Sequence, residues 1–91
     1  MSWRVLFHRK AKAVVTKLQE RDKHRILDGI KVLVESIQRG TPTDLDIKKL
    51  KGKWAGFYRL RVGKWRVIFR VDWENRVLLV YNIAKRENVY E

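Results

Sequence analysis

From residue 8 onward the apolar positions repeat with the spacing of a helix. Ala11, Val14, Val15 and Leu18 gather on one side of residues 8–19, while Arg9, Lys10, Lys12 and Lys17 fall mostly elsewhere. A second run follows a short polar link. Ile26, Ile30, Leu33 and Ile37 recur at helical intervals with Leu27 and Val34 beside them, and Asp22 is the expected N-cap. Gly40 ends this helix and Pro42 prevents its resumption. The pattern predicts two helices joined as a hairpin. Residues 41–49 read as a loop.

On either side of the helices the period falls to two. Residues 3–7 form a short strand rich in aromatic and β-branched side chains, and residues 57–62, 65–73 and 76–84 form three more. Gly63-Lys64 is a two-residue turn with glycine first, which suits a type II′ hairpin, and Glu74-Asn75 marks the next turn. The order β-α-α-β-β-β predicts an α+β fold, one antiparallel sheet with a helix hairpin packed on one face, in a single domain over residues 1–91. The last strand is apolar on both sides, with Leu78 and Val80 alternating with Val77, Leu79 and Ile83, so it belongs in the middle of the sheet.

Strand alternation also sorts the charges. If Gly63-Lys64 is the turn, Val62 faces Trp65, Leu60 faces Val67, and Arg61 stands directly opposite Arg66 with Arg59 beside them. Like charges opposed across a ladder are destabilising. A sheet face that collects arginines therefore needs a reason, and a bound anion is one, since the guanidinium fork matches the geometry of phosphate. The wider stretch of residues 48–70 carries nine bases and no acid. A solvated face usually mixes the two signs, and this run of residues does not.

Composition supports that reading. The chain has 91 residues and a formal net charge of +12, a self-repulsion that a polyanionic partner explains. It has no cysteine, which removes disulfides, thiolate nucleophiles and thiolate zinc sites. No apolar run is long enough for a signal peptide or a membrane span, and the expected compartment is the cytoplasm. The five glycines are scattered and form no phosphate-cradling loop. His8 and His24 lie near helix starts and read as capping or surface residues, and Asp44 with Asp46 is too little for a metal site. No cofactor or metal is expected. The chemistry left to such a chain is charge stabilisation by cations, as in reactions at phosphoryl oxygen.

Several short segments then match a known family in order and spacing. They are the helix with Ala11, Val14 and Leu18, then Leu50-Lys51-Gly52, Phe57-Tyr58-Arg59-Leu60-Arg61, Trp65-Arg66-Val67-Ile68-Phe69, and Ala84-Lys85-Arg86-Glu87-Asn88-Val89-Tyr90. With these the chain resembles the RelE/ParE superfamily of toxins from type II toxin–antitoxin systems. The resemblance implies a ribosome-dependent mRNA endonuclease that inhibits translation. In such enzymes the 2′-hydroxyl of the message attacks the adjacent phosphate without a metal. It implies catalytic roles for Arg59, Arg61, Arg66, Arg86 and Tyr90, and RNA contacts from Lys51, Lys53, Lys64 and Lys85. Arg59 and Arg61 stand where the family often has lysine. Arginine stays protonated and is a poor base, so a general base is expected among Lys53, Lys64, Lys85 and Tyr90. The implied partners are the ribosome, mRNA and an acidic RelB-like antitoxin that forms a hetero-oligomer with the toxin. The alternatives are a ParE-like inhibitor of DNA gyrase and a non-catalytic nucleic-acid-binding module.

Overall fold

A computed structural model describes residues 2–85. Its elements run β1 (Arg4–Phe7), α1 (Arg9–Lys17), α2 (Glu20–Arg39), β2 (Asp46–Lys49), a 3-10 turn at Gly52–Trp54, β3 (Tyr58–Val62), β4 (Trp65–Asp72) and β5 (Val77–Ala84). The strands form one sheet in the order β1-β5-β4-β3-β2. This is the expected α+β architecture, with two corrections to the sheet.

The first correction is its sense. Strands β2 to β5 are antiparallel to their neighbours, but β1 pairs parallel with β5, Arg4 beside Val77 and Phe7 beside Val80, so the sheet is mixed. The helix hairpin carries the chain from one edge of the sheet to the other. The reversals that follow bring β5 back pointing the same way as β1. The second correction is β2, which lies within the segment expected to be loop. Asp46, Ile47, Lys48 and Lys49 pair with Arg61, Leu60, Arg59 and Tyr58. Three of the four are charged, which suits an edge strand, because edge charges discourage pairing with other chains.

Local chemistry sets the helix ends. His8 caps α1, its Nδ1 accepting from the Lys10 amide at 3.2 Å. Helix α2 begins at Glu20 with Gln19 in the cap position, three residues before the expected Asp22. Asp22 instead lies in the first turn with Glu20, where carboxylates oppose the positive end of the helix dipole. Gly40 closes α2 in the left-handed conformation at φ 64°, with its amide bonded to Ile37 O and the Thr41 amide to Ser36 O. His24 is exposed beside Glu20, a surface residue as expected. Among the described residues no helix is long and apolar enough to cross a membrane.

The core lies between α2 and one face of the sheet. Ile26, Ile30 and Leu33 meet Leu60, Val67, Phe69, Leu78, Val80 and Ile83, with Ala11 of α1 buried among them. Gly29 lets α2 approach closely, since a β-carbon there would sit 3.1 Å from Val62 Cγ2. A bulge adjusts the inward face of β5. Asn82 pairs with Ile68 and Val80 with Phe69, leaving Tyr81 as an extra residue. The alternation therefore shifts phase, so that Ile83 joins Leu78 and Val80 on the core side instead of opposing them.

Candidate nucleic-acid interface

The glycine-first turn between β3 and β4 fixes the register on which the site depends. Gly63 has φ 59° and Lys64 does not enter the positive region, as a type II′ turn requires. Val62 then pairs with Trp65, Leu60 with Val67 and Arg61 with Arg66, as expected from the sequence. Leu60 and Val67 are fully buried on the helix side. The arginines point to the other face.

That second face is built in rows across the strands. One row runs Asp46, Arg61, Arg66, Ala84, and the next runs Lys48, Arg59, Ile68, Asn82. Arg61 is exposed and its Nε donates to Gly63 O at 3.3 Å, while Arg66 is half-buried. Arg59 is the exception, only 6% exposed, with Nη2 donating to Asp46 Oδ1 at 3.4 Å. Its Nε is buried without an acceptor. A charge so placed keeps its partner, because losing it would leave a desolvated cation behind. Asp46 reaches the arginines only because β2 is a strand.

The lysines divide. Lys51 and Lys53 are exposed in the loop that carries the 3-10 turn, and Lys64 is exposed at the hairpin tip. Lys85 lies over the Trp65 ring at 5.4 Å, and Trp65 belongs to the helix-side core, so Lys85 stands apart from the arginine rows. Arg86 and Tyr90 lie outside the described residues. Arg25 joins the hairpin tip unannounced by the sequence. Its guanidinium sits so close to Gly63 that a β-carbon there would be 3.0 Å from Nη2. The loop between β2 and β3 adds Trp54 and Phe57 to the second face, where they meet Tyr81. At the far end of β4, Asp72 accepts from the Asn75 side chain at 2.9 Å and from the Asn75 amide at 3.0 Å. These two bonds hold its carboxyl below the usual carboxylate range, with a smaller contribution from Arg70.

A strongly basic sheet face thus lies opposite a helix hairpin, an arrangement whose charge suits a polyanion. Comparison with known proteins gives the family. The family model described as the ParE toxin of the type II toxin–antitoxin system, parDE, matches residues 5–90. A putative toxin RelE1 of Methanocaldococcus jannaschii is 37% identical over 67 residues, 71% of this chain and 73% of that protein. The archaeal RelE–RelB complex from Pyrococcus horikoshii OT3 contains a chain that superposes with a TM-score of 0.73 at 28% identity, covering 98% of this chain and 100% of that one. The RelBE2 complex of Mycobacterium tuberculosis gives a TM-score of 0.74 at 22% identity, over 94% of this chain and 100% of that one, and supports the fold alone. The chain belongs to the ParE toxin family of type II toxin–antitoxin systems, within the RelE/ParE superfamily.

Proposed function

We propose that this toxin inhibits translation by cutting messenger RNA on the ribosome, with its arginine face as the cleavage site. The observation that carries the reading is the pairing of Arg61 with Arg66 on the face away from the helices. Opposed like charges cost stability in the free protein, and a phosphate between them turns that cost into binding.

The nucleophile belongs to the substrate. The 2′-oxygen forms a bond to phosphorus as the bond to the 5′-oxygen breaks, giving a cyclic phosphate and a free 5′-hydroxyl. One proton leaves the 2′-hydroxyl and one reaches the departing oxygen. Arg61 and Arg66 hold the non-bridging oxygens and stabilise the charge that grows on them. Arg59, fixed by Asp46, adds a cation from beneath. Strand β5 brings the chain to this row, since Ala84 pairs with Arg66 two residues before Arg86. Arg86 is assigned to the same phosphate and Tyr90 to the reacting nucleotide. The proton acceptor is drawn from Lys53, Lys64 and Tyr90, because arginine does not give up its proton and Lys85 lies over Trp65, apart from the arginine rows.

The partner is an acidic RelB-like antitoxin. A net charge of +12 attracts an acidic segment and speeds its encounter. The similar chain from Pyrococcus horikoshii OT3 was solved in a RelE–RelB complex, which supports a hetero-oligomer here.

Primer extension on translated mRNA tests the reaction: new 5′ ends within codons are expected with the wild type and absent with Arg66→Ala. A second reading, inhibition of DNA gyrase, is favoured by the match to the model described as a ParE toxin. A supercoiling assay separates the two. Loss of gyrase activity together with uncut message would replace the first reading by the second.

A further inference from the structure

Beside the arginine rows the second face carries a band of aromatic rings. Hydrogen bonds from the amides of Leu50, Ala55 and Phe57 to the carbonyls of Phe57, Gly52 and Trp54 close the loop between β2 and β3 and lay Trp54 and Phe57 against the sheet. The bulge in β5 adds Tyr81. Trp54, Phe57 and Tyr81 meet edge to face with ring centres 5.3, 5.4 and 5.7 Å apart, and His8 lies 4.8 Å from Tyr81. Lys10 Nζ stands 5.4 Å above the Tyr81 ring, and the Arg70 guanidinium stands 5.8 Å from the centre of Phe57. All three rings are half-buried. Packing against one another accounts for their buried edges. It does not account for two cations held over ring faces, on the same side of the sheet as Arg61 and Arg66.

We propose that Trp54, Phe57 and Tyr81 form a stacking shelf for a nucleobase of the RNA whose phosphate lies on Arg61 and Arg66. The inference rests on the RNA-cleavage reading above. Aromatic faces bind bases with little regard to sequence, because every base has a π-face. Arg61 and Phe57 are four residues apart along one extended segment, about 13 Å at about 3.3 Å per residue. The stacked base therefore belongs to a nucleotide next to the cleaved step. A base that slides over Tyr81 displaces Lys10 from the ring, and Lys10 and Arg70 then meet the phosphates flanking that nucleotide. Anchoring the neighbour keeps the scissile phosphate in register with the arginines.

The test uses ribosomes programmed with a message 2′-O-methylated at the vacant codon, which blocks the attacking hydroxyl. A single abasic residue is walked through that codon and its neighbours, and toxin retention is measured. With the wild type, one position is expected to weaken retention about ten-fold. Tyr81→Phe keeps that penalty, and Tyr81→Leu, checked for folding by circular dichroism, erases it. If Tyr81→Leu does not fold, the wild-type walk and Tyr81→Phe decide. A flat walk with normal retention overturns the shelf and leaves the phosphate site standing, as does a penalty that survives in folded Tyr81→Leu. A toxin that does not bind programmed ribosomes at all sinks the RNA reading itself, and the shelf with it.

Discussion

The two faces of the sheet are made by the same strands and obey opposite rules. On the helix side, Leu60, Val67, Phe69, Leu78, Val80 and Ile83 are closed over by Ile26, Ile30 and Leu33, and each contact removes apolar surface from water. On the other side, Arg61 opposes Arg66 and Arg59 is buried against Asp46, arrangements that packing alone would not select. Neighbours in the chain, Leu60 and Arg61 or Arg66 and Val67, thus answer to different demands. One face supplies the stability that the other draws on to hold like charges together.

Substitutions on the two faces should therefore come apart. Leu78→Ala, in the middle of the closed face, is expected to cost about 2–5 kcal/mol, read as a lower urea midpoint, with toxicity falling only as the folded fraction falls. On the open face, Arg66→Ala should slow cleavage by the equivalent of about 2.7–4 kcal/mol of barrier. Its urea midpoint should stay at or slightly above that of the wild type, since the charge opposed to Arg61 is gone. Arg86→Ala is expected to behave likewise, and if both variants still cut message at the normal rate the site is elsewhere.

A smaller effect has the more telling sign. Arg61→Thr relieves the opposed charges, so stability should rise by about 0.2–1 kcal/mol. Binding to single-stranded RNA should weaken, with a salt slope shallower by about 0.7 log units per decade. A variant that loses both stability and binding would break the division of labour between the faces. The smallest effect lies at the end of β4. Because Asn75 lowers the Asp72 pKa, the stabilisation is present above the unfolded value of about 3.9 and is lost as pH falls through the lower folded value. The gap in urea midpoint between wild type and Asp72→Asn should therefore close as pH falls below about 3.9. A gap that widens in acid would refute this role for the Asn75 bonds.

What the sequence revealed follows the range of the interactions involved. The Gly63 turn carries its own register, so the pairing of Arg61 with Arg66 could be read directly, as could the stop at Gly40. Asp22 misled because an acid serves equally well as a cap or in the first turn of a helix. Strand β2 escaped because Asp-Ile-Lys-Lys has little strand propensity of its own and is held by Leu60 and its neighbours across the ladder. With β2 unseen, Asp46 could not be placed beside Arg59. The bulge at Tyr81 and the parallel pairing of β1 are likewise set by partners distant in the chain. The aromatic shelf depends on both the bulge and the loop that precedes β3, and no local pattern announces it.

The parallel pairing of β1 with β5 also bears on how the chain folds during synthesis. Strand β5, inside the sheet between β1 and β4, is the last of the described strands to be made, and it is the partner of both. Until Val77–Ala84 emerges, Val5 and Phe7 have no strand to lie beside and Ile26 and Ile30 face an unfinished floor. Contacts between segments so far apart in sequence form slowly, since loop closure must precede them. The hairpin that carries Arg61 and Arg66 is local and can form early, but the scaffold that holds it rigid is completed only once β5 has been made. A nascent toxin thus passes through an interval in which its arginines are already synthesised but not yet aligned.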